Sequence, residues 1–203
     1  DSSVSNPLWN AHLNNYNKGQ EFGFTNNFII EWFATHDFRL RAKFGLTKSD
    51  DTSDVRLSPL HSQFDDVSDT EKGLYTHTQT KGLVYEGDLA ATFGRLFADK
   101  HMVNAVAGFN FSSTKRENYG FSANGFTDDQ FDSPSFANSY PNGESPDYSR
   151  TEKRAASFYI NGGYAYDNRY LLDFNYRSDG ASMFGTDNRF RNTWSVGLGW
   201  NIH

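Results

Sequence analysis

Charged side chains recur two or four positions apart in several stretches of this 203-residue chain. Arg39, Arg41 and Lys43 form one such set, Glu86 and Asp88 a second, Asp173 and Arg177 a third. On a β-strand, positions i and i+2 project from the same face. Each set therefore reads as a strip of charge on one side of a strand, a wall that attracts or repels solutes. The ordinary reading of such strips is a polar lining whose charges pair with one another. Covalent catalysis finds no support beside them. There is no cysteine, which removes thiolate nucleophiles, disulfides and thiolate metal sites. The six histidines (12, 36, 61, 77, 101 and 203) are scattered without metal-ligand spacing. No G-x-S-x-G elbow is present, and Asp179 and Ser182 have no histidine near them in sequence. No catalytic residue, metal or cofactor is expected. The formal net charge of -6 argues against nucleic acid as a partner, because phosphate binding needs a basic face.

Two segments gather other chemistry. Asp50, Asp51, Asp54, Asp65, Asp66, Asp69 and Glu71 make one acidic run, and Asp128, Asp129, Asp132, Glu144 and Asp147 another. Neither has the oxygen spacing of an EF-hand, so both read as solvated loops. The second also carries Tyr119, Phe121, Phe126, Phe131, Phe136, Tyr140 and Tyr148. Aromatics in a polar loop must pack on something, and interfaces enrich such residues. A neighbouring loop or a protein lid is favoured over direct stacking on a ligand.

The elements that position these residues are strands. Phe38, Leu40, Ala42, Phe44 and Leu46 alternate with the basic strip; Tyr170, Leu172, Phe174 and Tyr176 alternate with Leu171, Asp173, Asn175 and Arg177. Trp194, Val196, Leu198, Trp200 and Ile202 alternate with Ser195, Gly197, Gly199 and Asn201. A period of two predicts strands, here over about 20–34, 37–49, 73–97, 101–119, 152–166, 169–178 and 193–202. Short turns are expected near 34–36, 98–100 and 167–169, and long loops near 50–72, 120–151 and 179–192, with Asp179-Gly180 as a turn pair. Short and long connections in alternation describe an up-and-down antiparallel meander. The fold class is all-β.

Phe, Tyr and Trp together number 34 against 24 Leu, Ile and Val. A soluble core leans the other way. No apolar run approaches the ~18–20 residues of a membrane helix, and no signal-peptide pattern opens the sequence. The strands are long enough for the ~9–11 residues a membrane strand needs, and their aromatics gather at the short turns. Trp32 and Phe38 flank the first, Phe93 and Phe97 precede the second, Tyr164, Tyr166 and Tyr170 flank the third, and Trp200 falls at the same height. Transmembrane barrels carry such girdles at the lipid–water boundary, with an apolar face to lipid and a polar face to the lumen. Keeping like faces paired sets Trp32 against Phe38, Glu31 against Arg39 and Asn27 against Lys43. It likewise sets Tyr166 against Tyr170, Tyr164 against Leu172 and Tyr159 against Arg177. Seven strands is an odd number for a bacterial barrel, and an open edge in lipid is costly. The expectation is a segment of a larger wall.

The run Arg177-Ser178-Asp179-Gly180-Ala181-Ser182-Met183-Phe184-Gly185, then Asn188-Arg189-Phe190 and Trp194 to Trp200, resembles a motif of the SusC/RagA-type TonB-dependent transporters. That family reads R-x-D-G-S-S-x-F-G, N-x-R and S-x-G-W; Ala181 and Met183 depart from it. Asn6-Pro7-Leu8-Trp9 is similar to the family's N-P-[YL]-W. The resemblance implies part of a 22-stranded outer-membrane barrel in a Gram-negative, Bacteroidetes-like bacterium, with plug and TonB-contacting segments outside this sequence. It implies uptake of oligosaccharides or peptides, energised through TonB, beneath a SusD-like surface lipoprotein. Outer-membrane lipid would face the apolar side. Arg39, Arg41, Lys43, Glu86, Asp88 and Asp173 would then face the lumen, and Phe121, Phe126, Phe131, Phe136, Tyr140 and Tyr148 would meet a lid or ligand. Two other readings of the residues stand beside it: a self-contained small outer-membrane barrel acting as anchor or adhesin, and a soluble carbohydrate-binding β-sandwich.

Overall fold

The computed structural model describes residues 7–183 and 189–202. Seven strands form one antiparallel sheet in strict sequence order: β1(Tyr16–Phe33), β2(Phe38–Leu57), β3(Leu74–Phe97), β4(His101–Asn124), β5(Asp147–Tyr166), β6(Tyr170–Met183) and β7(Arg189–Trp200). A five-residue helix, α1(Pro7–Ala11), precedes them, and single 3-10 turns sit at Ser62–Phe64 and Pro134–Phe136. No helix among the described residues is long and apolar enough to cross a membrane. The up-and-down meander read from the period of two is what the sheet shows.

The strands outrun their alternation at the long-loop end. β2 continues to Leu57, β4 to Asn124, and β5 begins at Asp147, so Asp50, Asp51, Asp54, Tyr119, Phe121 and Tyr148 are strand residues, not loop residues. The segment 179–192 is strand over most of its length, with Lys153 opposite Met183 and Ala181 opposite Arg189. Asp179-Gly180 makes no turn: Asp179 lies opposite Ser157, Gly180 opposite Ala156. Ladder hydrogen bonds need only a neighbouring backbone; the apolar pattern reports burial, so it stops before the ladder does.

Registers follow suit. Tyr166 pairs with Tyr170, Tyr164 with Leu172 and Tyr159 with Arg177, all as expected. The β1–β2 contacts lie two residues further along β2 than expected. Glu31 reaches Arg41 rather than Arg39, at 3.3 Å; Asn27 lies beside Gly45 rather than Lys43; Thr25 bonds Thr47. The cause is the turn, which takes in Asp37: the Thr35 hydroxyl accepts the N–H groups of both Asp37 and Phe38. The turn after β3 places Ala98 and Asp99 at φ +49° and +56°, and the turn after β5 places Asp167 and Asn168 at +52° and +50°. Two consecutive left-handed residues make the tight hairpin that matches strand twist.

The chain forms two compact units. The first comprises the chain up to Gly23, Ser49–Gly82 and Arg116–Arg150. It holds the buried hydrophobic residues of the described chain, Tyr75, Ala123 and Phe126, together with fully buried Arg56 and Ser58. The second comprises Phe24–Lys48, Leu83–Lys115 and the chain from Thr151 on. It has no hydrophobic core among the described residues; its apolar side chains, such as Phe44, Phe174 and Leu198, stand exposed on one sheet face.

Candidate functional site

In the second unit the two faces of the sheet are chemically opposite. On the apolar face Tyr166 stacks on Tyr170 and Tyr170 on Trp200, ring centroids 6.4 Å apart in each pair. His101 joins this row, its Nδ1 2.7 Å from the Tyr164 hydroxyl and its ring 5.1 Å from that of Tyr166. The aromatic row at the short turns is therefore continuous across β4 to β7. His101 was missed in sequence because a lone histidine gives no period. Elsewhere the Phe111 ring covers Gly87 and the Phe190 ring covers Gly180, where any Cβ would collide with the ring. Glycine there lets an aromatic cover bare backbone.

The opposite face is polar and forms a concavity of about 1120 Å³. Arg41, Lys43, Glu86, Asp88, Arg177 and Asp179 line it. Its floor is poor in side chains, with Gly45, Ser112, Ala155 and Ser157. Arg41 is paired with Glu31, and Arg177 Nε donates to both carboxylate oxygens of Asp179 at 2.9 Å. Among the described residues Lys43, Glu86 and Asp88 make no ion pair. Arg39 is exposed on β2, two residues from Arg41. Asp173 lies outside the concavity, between Gly163 and Gly197. Of the motif residues, Ser182 lies opposite Arg154. Asn6, Phe184, Gly185, Asn188 and His203 lie outside the described residues.

The first unit carries the acidic and aromatic residues, and it divides them. Phe126 is 1% exposed, which removes it from any surface a lid or ligand can reach. The Arg56 guanidinium sits 5.7 Å from its ring. Phe121 packs at a tilt on Tyr75 and His77, ring centroids 5.9 and 5.6 Å away. Phe131 and Phe136 stack on each other at 4.8 Å and remain exposed, as do Tyr140 and Tyr148. Asp54 is not a solvated loop acid. Its Oδ1 accepts the Tyr75 hydroxyl at 2.6 Å and lies 2.7 Å from His77 Nδ1. The His77 and Tyr75 bonds hold the Asp54 carboxyl below its ordinary range. Burial, then the hydrogen bond to Asp54 and its charge, pushes the Tyr75 phenol well above its own. Asp69 is likewise lowered by Lys72, 2.8 Å away. Among the described residues no group of three or more His, Cys, Asp or Glu is placed to hold a metal ion.

No family model matches the chain. The TonB-dependent receptor P26 of Formosa agariphila is 26% identical over 220 residues, covering 99% of this chain and 20% of that protein. The TonB-dependent receptor P39 of the same organism is 30% identical over 110 residues, 54% of this chain and 10% of that one. The solved structure of the RagAB peptide transporter superposes with a TM-score of 0.77 at 19% identity, over 91% of this chain and 20% of that chain. The RagAB importer in its open-open state gives 0.75 at 20%. The chain thus spans about a fifth of the length of the first relative it matches. The expected likeness to TonB-dependent transporters is met by these matches, and the up-and-down meander of long strands is the fold observed.

Proposed function

We propose that this length of SusC/RagA-type TonB-dependent transporter wall serves an importer in the outer membrane of a Gram-negative bacterium. The importer takes up oligosaccharides or peptides, energised through TonB, beneath a SusD-like lipoprotein. The apolar face meets lipid, the aromatic row lies at the lipid–water boundary, and the concave face lines the lumen. The observation that carries this reading is the pairing of opposite faces: exposed aromatics and aliphatics on one side, and charges over a side-chain-poor floor on the other. A soluble sandwich has no use for an exposed apolar face of this extent. A match lying within much longer receptors supports a wall segment over a self-contained small barrel. Exposed Phe131, Phe136 and Tyr140 are the residues of the loops best suited to packing against the lipoprotein.

Lys43, Glu86 and Asp88, of both signs and without ion pairs among the described residues, suit a zwitterionic chain and so favour peptides among the two substrate classes. The experiment is uptake by the full-length receptor in its own bacterium. Lys43→Glu, Glu86→Lys and Asp88→Lys are each expected to lower uptake of labelled peptides about tenfold at equal surface expression, a barrier change of about 1.4 kcal/mol. Unchanged uptake in all three removes the wall from substrate passage.

A further inference from the structure

The segment before β1 lies as a strap across two loops of the first unit. The Trp9 indole donates to the Leu60 carbonyl at 3.0 Å. The Asn10 amide donates to the Ser62 hydroxyl at 2.8 Å, and its oxygen accepts the Ser62 N–H at 3.1 Å. The Asn15 oxygen accepts the Ser58 N–H at 2.7 Å. These seats are almost all neutral amides and main chain, with little apolar burial to hold them.

Asn14 is seated differently. Its N–H donates to Asp129 Oδ2 at 3.2 Å, its side-chain amide donates to the Asp129 carbonyl at 3.3 Å, and its own carbonyl accepts from Arg56 Nη1. Arg56 is wholly buried and its Nη2 donates to the Asp129 and Phe131 carbonyls at 3.0 and 3.2 Å. The Arg56–Asp129 ion pair is nevertheless long, 3.6 Å from Nη1 to Oδ1. Both Arg56 Nε and Asp129 Oδ1 are buried without a hydrogen-bond partner. The guanidinium and the carboxylate thus lie next to one another, each with one buried atom unsatisfied and another bonded to Asn14. An arrangement in which the carboxylate takes the guanidinium directly would satisfy both, and such pairs are bidentate and strong.

We propose that Asn14 is the catch of a releasable strap. With the strap docked, Asn14 takes one atom of each, Asp129 Oδ2 and Arg56 Nη1, and their side-chain pair stays at 3.6 Å, outside hydrogen-bond distance. With it lifted, the two close into a direct pair that keeps the β4–β5 loop in place. The loop then has two ordered states, and the strap alone exchanges between bound and free. Buried unpaired groups are costly, so each state satisfies what the other leaves open. Nothing in this arrangement depends on what the protein transports.

The test is amide hydrogen exchange in the full-length receptor, read on peptides covering 7–15 and 125–136. Asn10→Ala with Asn15→Ala weakens the strap without touching its catch. Exchange over 7–15 is expected to rise at least tenfold while 125–136 rises less than threefold. Adding Asp129→Asn is then expected to raise 125–136 at least tenfold, because a neutral amide makes a poor substitute partner for the guanidinium. Equal loosening of strap and loop with Asp129 intact overturns the proposal, as does an unchanged strap. A disulfide between Asn10→Cys and Ser62→Cys, compared oxidised and reduced in one molecule, repeats the comparison independently of any effect of the alanines on folding. There, reduction is expected to free 7–15 alone, and joint release of 125–136 overturns the proposal.

Discussion

Removing the guanidinium of Arg56 is the sharpest perturbation the fold offers. Arg56→Met keeps an apolar stem of similar length over Phe126 but deletes the donors to the Asn14, Asp129 and Phe131 carbonyls. Hydrogen bonds from a charged donor contribute about 1.5–3 kcal/mol each, so three give roughly 4.5–9 kcal/mol gross. Against this stands the desolvation of a wholly buried guanidinium, several kcal/mol that methionine does not incur. Asp129 is still 24% exposed at its side chain, so its carboxylate recovers hydration. The balance is a loss of about 3 kcal/mol, at the lower end of measured losses for breaking a buried pair. That corresponds to about a hundredfold shift in the local opening equilibrium. The loss is confined to the loop end, because every partner lies in the first unit. Hydrogen exchange over 125–136 in the full-length receptor reads it directly, with the β4 ladder as internal reference. A change below threefold would refute the assignment of Arg56 as the node that holds this loop.

Other consequences are independent of that node. Asp54 is held below its ordinary range by His77 and Tyr75, so its contribution is complete above about pH 4 and fades as pH falls through the depressed folded value. The opening equilibrium at the β2 and β3 ends, from exchange rates corrected for the intrinsic pH dependence of amide exchange, is expected to rise on acidification, and Asp54→Asn is expected to flatten that rise; an equally steep profile in the variant sinks the linkage. Tyr75 gives the opposite limb: its phenol is raised, so its contribution is complete below about pH 10 and is lost only in stronger alkali. Ala98 holds φ +49°, a conformation costing about 1–2 kcal/mol for alanine. Ala98→Asn, which tolerates it, is expected to raise the heat-modification temperature of the full receptor, and a fall would count against the turn geometry. Gly125 holds φ +81°, and a Cβ there would lie 2.4 Å from the Thr70 carbonyl oxygen and 2.5 Å from Asn138 Cβ. Gly125→Ala is expected to cost about 2–5 kcal/mol from backbone strain and overpacking together, seen as proteolytic nicking of the 125–146 loop.

Where an apolar face existed, the sequence was a good guide. The pairing of Tyr159 with Arg177 and of Tyr164 with Leu172 was legible because a one-residue slip would invert every side chain. The β1–β2 register was harder, because parity leaves slips of two residues undetermined. There the Thr35 hydroxyl, by drawing Asp37 into the turn, set the final alignment. The loop-side ends of β2, β4 and β5, residues 50–57, 120–124 and 147–151, fall in segments whose sequence reads as loop because polar residues dominate there, and the ladder keeps them extended. The charges of the polar face are visible in sequence as strips, while which of them pair is not. Arg41 finds Glu31 and Arg177 finds Asp179, and Lys43, Glu86 and Asp88 do not pair among the described residues.

Sequence by itself determined the all-β class, the order of strands, the tight turns and the separation into an apolar and a charged face. These depend on period and on nearest neighbours along the chain. Tertiary structure decided what lies beneath the long loops. Arg56 reads in sequence as one more strand cation, yet it is the most deeply buried charge among the described residues. Phe126 reads as a loop aromatic and is core. Both outcomes come from contacts between segments tens of residues apart, Asn14 to Arg56 and Arg56 to Asp129. No periodicity records such contacts, because loop packing depends on where each strand ends and which backbone carbonyls it leaves to be satisfied.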